Sequence, residues 1–173
     1  MRDAETMGHS TRVVDLTLRL AVAMGLKGDA LVHIRRGVLL HDFGKMLIPN
    51  EILLKSGPLS DDEWKIMRKH PEYAYQVFSK ISYLAPALDI PHYHHERWDG
   101  SGYPRGLKGE QIPFPARIFA VVDVWDALVT TRCYREAWSP QKTLEYILGE
   151  SGKHFDPRVV AAFCKMIEAV EDV

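Results

Sequence analysis

Asp123 stands inside Arg117-Ile-Phe-Ala-Val-Val-Asp123-Val-Trp-Asp126-Ala-Leu-Val129, a stretch otherwise apolar on nearly every side. A helix that is apolar all round is a buried helix. An ionised carboxylate there is costly unless a cation or a hydrogen-bond network compensates it. The chain also carries His41-Asp42 and the adjacent pair His94-His95. Imidazole and carboxylate donors together suit Zn, Fe, Mn or Ni better than Mg or Ca. A carboxylate can bridge two cations, which a lone imidazole does far less readily. These residues therefore point to a buried metal site, with Asp42 as the bridging candidate.

Further donors stand at suggestive spacings. His70 lies on the inner face of a helical pattern, and Glu5 and His9 are one helical turn apart. Each also has an ordinary reading. His70 can be a hydrogen-bonded core residue, Glu5 and His9 a frayed terminus, His94-His95 a polar turn, and His41-Asp42 a helix end. Taken together, Glu5, His9, His41, Asp42, His70, His94, His95 and Asp123 exceed the needs of one metal, so two or three ions are expected. Two adjacent divalent ions can polarise a phosphodiester and generate hydroxide near neutral pH. Asp126, one turn beyond Asp123, is read as a hydrogen-bonding support for a ligand. His92 is read as a surface or supporting residue.

The cations point to a phosphate ligand. Lys45 lies one helical turn after His41, and Arg132 and Arg135 flank Tyr134 just past the apolar run. Arginine forks match phosphate oxygens, while lysine supplies a compact charge. Trp98, Tyr103, Trp125, Tyr134 and Trp138 offer aromatic faces. Tyr103 is the best candidate for stacking or phosphate contact, and Trp125 reads as core.

The elements that must hold these groups read as mostly helical. Residues 10–24 carry a broad apolar face and stop at Gly25. Residues 29–42 show Leu31, Ile34, Val38 and His41 at helical spacing. Residues 46–59 read as irregular. Ser60-Asp-Asp-Glu63 is a capping box opening a helix whose inner face would run Met67, His70, Ala74, Val77, with Pro71 kinking or interrupting it. Residues 97–115, with four glycines and three prolines, read as a long functional loop. The apolar helix at about 116–130 follows, and Ser139-Pro140 and Asp156-Pro157 each resemble a helix start. No alternating strand pattern is evident.

A length of 173 residues suggests one domain. Hydrophobic residues at 46% and charged residues at 26% indicate a globular chain rather than a disordered one. A net charge of -1 offers no basic field for a nucleic-acid polymer, so an anionic substrate must be held locally. Cys133 and Cys164 form no zinc or disulfide pattern and fit a reducing cytoplasm. No signal peptide or membrane span is evident. A functional-looking motif so near the first residue suggests a domain excised from a longer protein with an upstream sensory or regulatory part.

Taken in order, the motifs resemble the HD-GYP family of the HD metal-dependent phosphohydrolases. They are Glu5-Thr-Met-Gly-His9, His41-Asp42-Phe-Gly-Lys45, Leu59-Ser-Asp-Asp-Glu63 with Met67, His70 and Pro71, and His94-His95-Glu96-Arg-Trp-Asp99-Gly-Ser-Gly102-Tyr103-Pro104. Asp123-Val-Trp-Asp126-Ala-Leu128, Arg132-Cys-Tyr-Arg135 and Ser151-Gly-Lys-His154-Phe-Asp156-Pro157 complete the set. The resemblance covers almost the whole chain. It implies an all-α HD-domain bundle, a two- or three-metal centre of iron or manganese, and hydrolysis of cyclic di-GMP to pGpG and on to GMP if the site is open. It implies the eight ligands above, with Lys45, Gly102, Tyr103, Arg132 and Arg135 as substrate contacts and Asp42 and Lys45 as the catalytic pair. Phe43, Ser56 and Cys133 depart from the family pattern, and Cys133 can shift the Arg132–Arg135 segment. The rival readings are a phosphodiesterase for another cyclic dinucleotide or nucleotide, and a non-catalytic cyclic di-GMP receptor. A homodimer or a regulatory domain in cis is the expected protein context.

Overall fold

The apolar run around Asp123 folds as one helix, α7 (Phe114–Val129), and α1, α6, α8 and α9 pack against it. The computed structural model describes residues 2–131 and 136–171, with side chains over 8–131 and 136–169. Before α7 come α1 (Arg2–Ala23), α2 (Asp29–Leu40), α3 (Asn50–Leu53), α4 (Asp61–Met67), α5 (His70–Phe78) and α6 (Asp89–Tyr93). After it come α8 (Pro140–Gly149) and α9 (Pro157–Glu171). The fold is all-α, and among the described residues the only β pairing is an isolated bridge between Ser151 and Phe155. No helix of the described residues is long and apolar enough to cross a membrane.

The core follows from the apolar pattern. Ile118, Phe119, Val121 and Val122 of α7 are wholly buried against Val13 and Leu20 of α1, Ile34 and Val38 of α2, Ile147 of α8, and Val159 and Phe163 of α9. Trp125 meets Phe163 edge-on, which makes it the core residue its position suggested. A smaller cluster of Ala74, Phe78, Leu84 and Leu88 backs α5. Both α2 and α5 pack on α6, which in turn packs on α7.

Several local expectations hold and others are corrected. The Ser60 capping box is present: Glu63 N–H donates to Ser60 Oγ at 3.3 Å, and Ser60 N–H donates to Glu63 Oε2 at 2.7 Å. Proline opens α8 and α9 as expected. The segment expected to be irregular instead holds a 3₁₀ turn at Phe43–Leu47 and the short α3. The helix expected from Ser60 through Val77 is two helices, and Val77 is exposed. Pro71 is the cause, since it cannot donate to the carbonyl of Met67 and sits in the first turn of α5 instead. His41 and Asp42 do not ride on a helix either. His41 caps α2, and Asp42 has φ −98° and ψ 2°, between helix and turn.

Candidate metal centre

Three helix ends supply three of the five imidazoles. His41 ends α2, His94 ends α6, and His70 follows the end of α4. The last carbonyls of a helix have no partner within it. Each of these histidines turns Nδ1 toward a carbonyl near a helix end; those of Val38 and Ile90 also accept the backbone N–H of His41 and His94. His41 Nδ1 lies 2.7 Å from Val38 O, His70 Nδ1 2.9 Å from Met67 O, and His94 Nδ1 3.0 Å from Ile90 O. The Met67 carbonyl is the one that Pro71 leaves free. An Nδ1–H donated to a carbonyl leaves the Nε2 lone pair as the free donor.

Those lone pairs converge in two groups. His70, His94 and His95 bring donor atoms within 4.8 Å of one another, and so do His9, His41 and Asp123. Asp42 lies between the groups, with Oδ2 3.5 Å from His41 Nε2 and Oδ1 3.7 Å from His70 Nε2. One carboxylate thus offers an oxygen to each trio, the geometry required of a bridge. Phe119 forms an apolar floor, its ring 4.9 Å from that of His41 and 6.1 Å from that of His94.

The donor set fits divalent cations. His70 Nε2 and His94 Nε2 are 3.4 Å apart, yet both Nδ1 protons are committed to carbonyls. Two lone pairs then face one another, which a cation between them relieves. Burial disfavours protonation here: it pushes His70 down to about 4 and His95 down to about 3, and holds His94 well below its ordinary value. Neutral imidazole is the metal-binding form. Burial also opposes charge on His41, but Asp42 and Asp123 outweigh it and raise that pKa. Burial raises Asp123, against the pull of His41. For Asp42 burial acts upward, and His41, Lys45 and His94 overcome it to leave the carboxyl well below its usual range.

The surrounding residues hold the donors in place. His9 Nδ1 is 2.7 Å from Asp126 Oδ2, and Arg12 Nε donates to Asp126 Oδ1 at 2.6 Å. Asp126 is thus hydrogen-bonded to His9, in the hydrogen-bonding role its spacing suggested. Arg12 went unnoticed in the sequence, although it lies one turn after His9. Glu96, named in the motif but given no role there, is buried and accepts the N–H groups of Arg105 and Leu107 at 2.7 and 3.0 Å, which ties the glycine-rich loop back to the histidine pair. Gly102 lies where an added Cβ would strike Arg97 N, Glu96 Cα and His95 O, so the loop can close only on glycine. Tyr103 consequently stacks on His95, with ring centres 4.7 Å apart and planes at 27°. Gly44 likewise lets the turn after Asp42 press against the backbone of His70.

Lys45 Nζ donates to Asp42 Oδ2 at 2.7 Å, which puts its charge beside the junction of the trios. The Glu5 side chain, Arg132 and Arg135 lie outside the described residues. His92 is buried rather than superficial, stacked on Tyr75 and Tyr93, and takes no part in either trio.

Fold and donor geometry define a helical domain with paired metal-binding clusters. The chain matches the HD domain family over residues 1–159 and belongs to it. It is 40% identical over 99% of its length to the cyclic di-GMP phosphodiesterase response regulator RpfG of Xanthomonas campestris pv. campestris, spanning 46% of that protein. It is 41% identical over 99% of its length to a cyclic di-GMP phosphodiesterase of Thermotoga maritima, spanning 47% of it. It is 42% identical over 92% of its length to 3'3'-cGAMP-specific phosphodiesterase 2 of Vibrio cholerae, spanning 31% of it. The chain thus spans less than half of these relatives. Among solved structures, an HDG"Y"P protein from Bdellovibrio bacteriovorus shares the fold with a TM-score of 0.73 at 21% identity, covering 92% of this chain and 51% of that one.

Proposed function

We propose that this domain hydrolyses cyclic di-GMP to linear pGpG, and on to GMP where the product can rebind. The observation that carries the proposal is the Asp42 carboxylate set between two donor trios. His70, His94 and His95 would hold one divalent ion, His9, His41 and Asp123 a second, and Asp42 would join them. Glu5 belongs to the same proposed ligand set and is the residue on which a third ion would depend. Iron or manganese is the assigned metal, with nickel or zinc compatible with the same donors.

When bound, such ions polarise a phosphodiester and lower the pKa of water towards neutrality. The protein's own residues do the rest. The helix-end carbonyls keep the imidazole lone pairs aimed inward. Lys45 supplies positive charge beside Asp42, where charge develops on the phosphoryl oxygens as the ribose 3′ oxygen leaves. Tyr103 and Gly102 form the wall next to His95, and Arg132 and Arg135 are assigned to the phosphate. A regulatory domain in cis agrees with the name of the Xanthomonas relative, a response regulator.

A second reading is hydrolysis of 3'3'-cGAMP, favoured by the Vibrio relatives named for that substrate. Turnover of the two cyclic dinucleotides side by side separates the readings. Faster hydrolysis of cyclic di-GMP supports the first, and preference for 3'3'-cGAMP replaces it with the second. Tight binding without turnover in fully metallated protein would make the domain a receptor.

A further inference from the structure

Arg68 stands beside the histidine trio with no carboxylate of its own. It closes the C-terminal end of α4, and its guanidinium carbon lies 5.6 Å from the centre of the Tyr103 ring and 6.0 Å from that of Trp64. Among the described residues, no carboxylate comes within ion-pair distance of it and no acceptor takes its guanidinium hydrogens. By contrast, Arg12, Arg97 and Arg158 are paired with Asp126, Glu150 and Glu110. Lys45, another cation near the trios, is engaged by Asp42.

The residues are ordered outward from the metal donors. His95 belongs to the trio, Tyr103 stacks on His95, and Arg68 lies over Tyr103. A cyclic dinucleotide carries two phosphodiester groups on one ring. While one is at the ions, the other must lie against the surrounding wall. A guanidinium held over aromatic rings keeps its fork available, and less freedom is lost when it binds an anion. Trp64, 44% exposed, leaves room for such a ligand beside the arginine.

We propose that Arg68 receives the phosphate of the substrate that is not being cleaved, making the Trp64–Arg68–Tyr103 row a subsite that favours diesters carrying two phosphates over those carrying one. The proposal rests on the phosphodiesterase reading above. Arg68 is not assigned to the chemical step, so it should act on KM rather than on kcat.

The test compares wild type, Arg68→Ala and Arg68→Lys on cyclic di-GMP and on bis(p-nitrophenyl) phosphate, with bound metal and melting temperature measured for each. Arg68→Ala should raise KM for cyclic di-GMP by about tenfold or more, the scale of a charged hydrogen bond, with kcat and metal content unchanged. Arg68→Lys should recover part of the loss. KM for the single-phosphate diester should stay the same, and the KM for cyclic di-GMP should become less sensitive to salt in Arg68→Ala. An unchanged KM for cyclic di-GMP, an equal loss on both substrates, or a loss of metal would overturn the assignment. Wild-type protein that is fully metallated yet inactive on cyclic di-GMP would remove the phosphodiesterase reading and the subsite with it. Active wild type beside an unaffected Arg68→Ala removes the subsite alone.

Discussion

At the residue scale the centre depends on where protons sit. His41, His70 and His94 each commit Nδ1 to a carbonyl near a helix end, and His9 commits its own to Asp126. Loss of such a support commonly costs metal affinity about 10- to 100-fold. Asp126→Asn should therefore weaken metal binding by that order while the protein stays folded, which titration calorimetry with Mn(II) can measure. Unaltered affinity would mean that Asp126 serves packing alone. The same burial sets a pH dependence. His70 and His154 are pushed down to about 4, and His95 to about 3, from 6.5. Between those values the unfolded chain binds more protons than the folded one, so stability rises with pH. This contribution is full above about 6.5 and is lost as pH falls towards 4. His41 is raised and acts oppositely, adding stability below 6.5 and losing it above its own pKa, and the raised carboxyls of Asp89 and Asp123 also act oppositely, but the depressed imidazoles outnumber them. Denaturant unfolding of metal-free protein should show falling stability from pH 7 to 4. A flat profile would contradict the neutral assignment of these imidazoles.

At the element scale the turns between helices decide the geometry. Gly102→Ala would place a methyl against the backbone of Arg97, Glu96 and His95, atoms that cannot yield without moving the loop. Displacing Tyr103 should cut turnover by more than tenfold while metal content, measured by mass spectrometry, stays close to wild type. Equal activity would mean that the loop does not wall the site. Ser60→Ala is a useful contrast. Losing that cap should cost about 1 kcal/mol in denaturant unfolding and leave metal content alone. These elements were unevenly legible in the sequence. The Ser60 cap, the proline-led starts of α8 and α9 and the stripe of α2 rest on local rules and were readable. The split of α4 from α5 was not, because proline marks a break or a kink without saying which. The 3₁₀ turn after Asp42 depends on a tertiary contact, Gly44 against His70, which no local pattern encodes.

At the scale of the whole molecule, α7 is both the core and one wall of the centre. It buries Phe119 and Val122 and presents Asp123 to His9 and His41. That is why Asp123 was conspicuous in an apolar run, and why the donors, scattered from His9 to Asp123, could be suspected of meeting. The sequence alone could not divide them into two trios, because that division follows from how α1 and α6 pack on α7 and how α2 packs on α1 and α6. The roles of Arg12 and Glu96 stayed hidden for the same reason, since their partners lie far along the chain or in a loop backbone. The central claim is that the two trios and Asp42 form a metal-dependent phosphodiesterase. Its most direct test is turnover of cyclic di-GMP by protein purified without oxygen, with metals quantified in the same sample, for wild type and Asp42→Ala. The account predicts pGpG formation proportional to bound iron or manganese, and loss of both metal and turnover in Asp42→Ala. Fully metallated wild type that leaves cyclic di-GMP intact, or a folded Asp42→Ala protein with full activity, would contradict it.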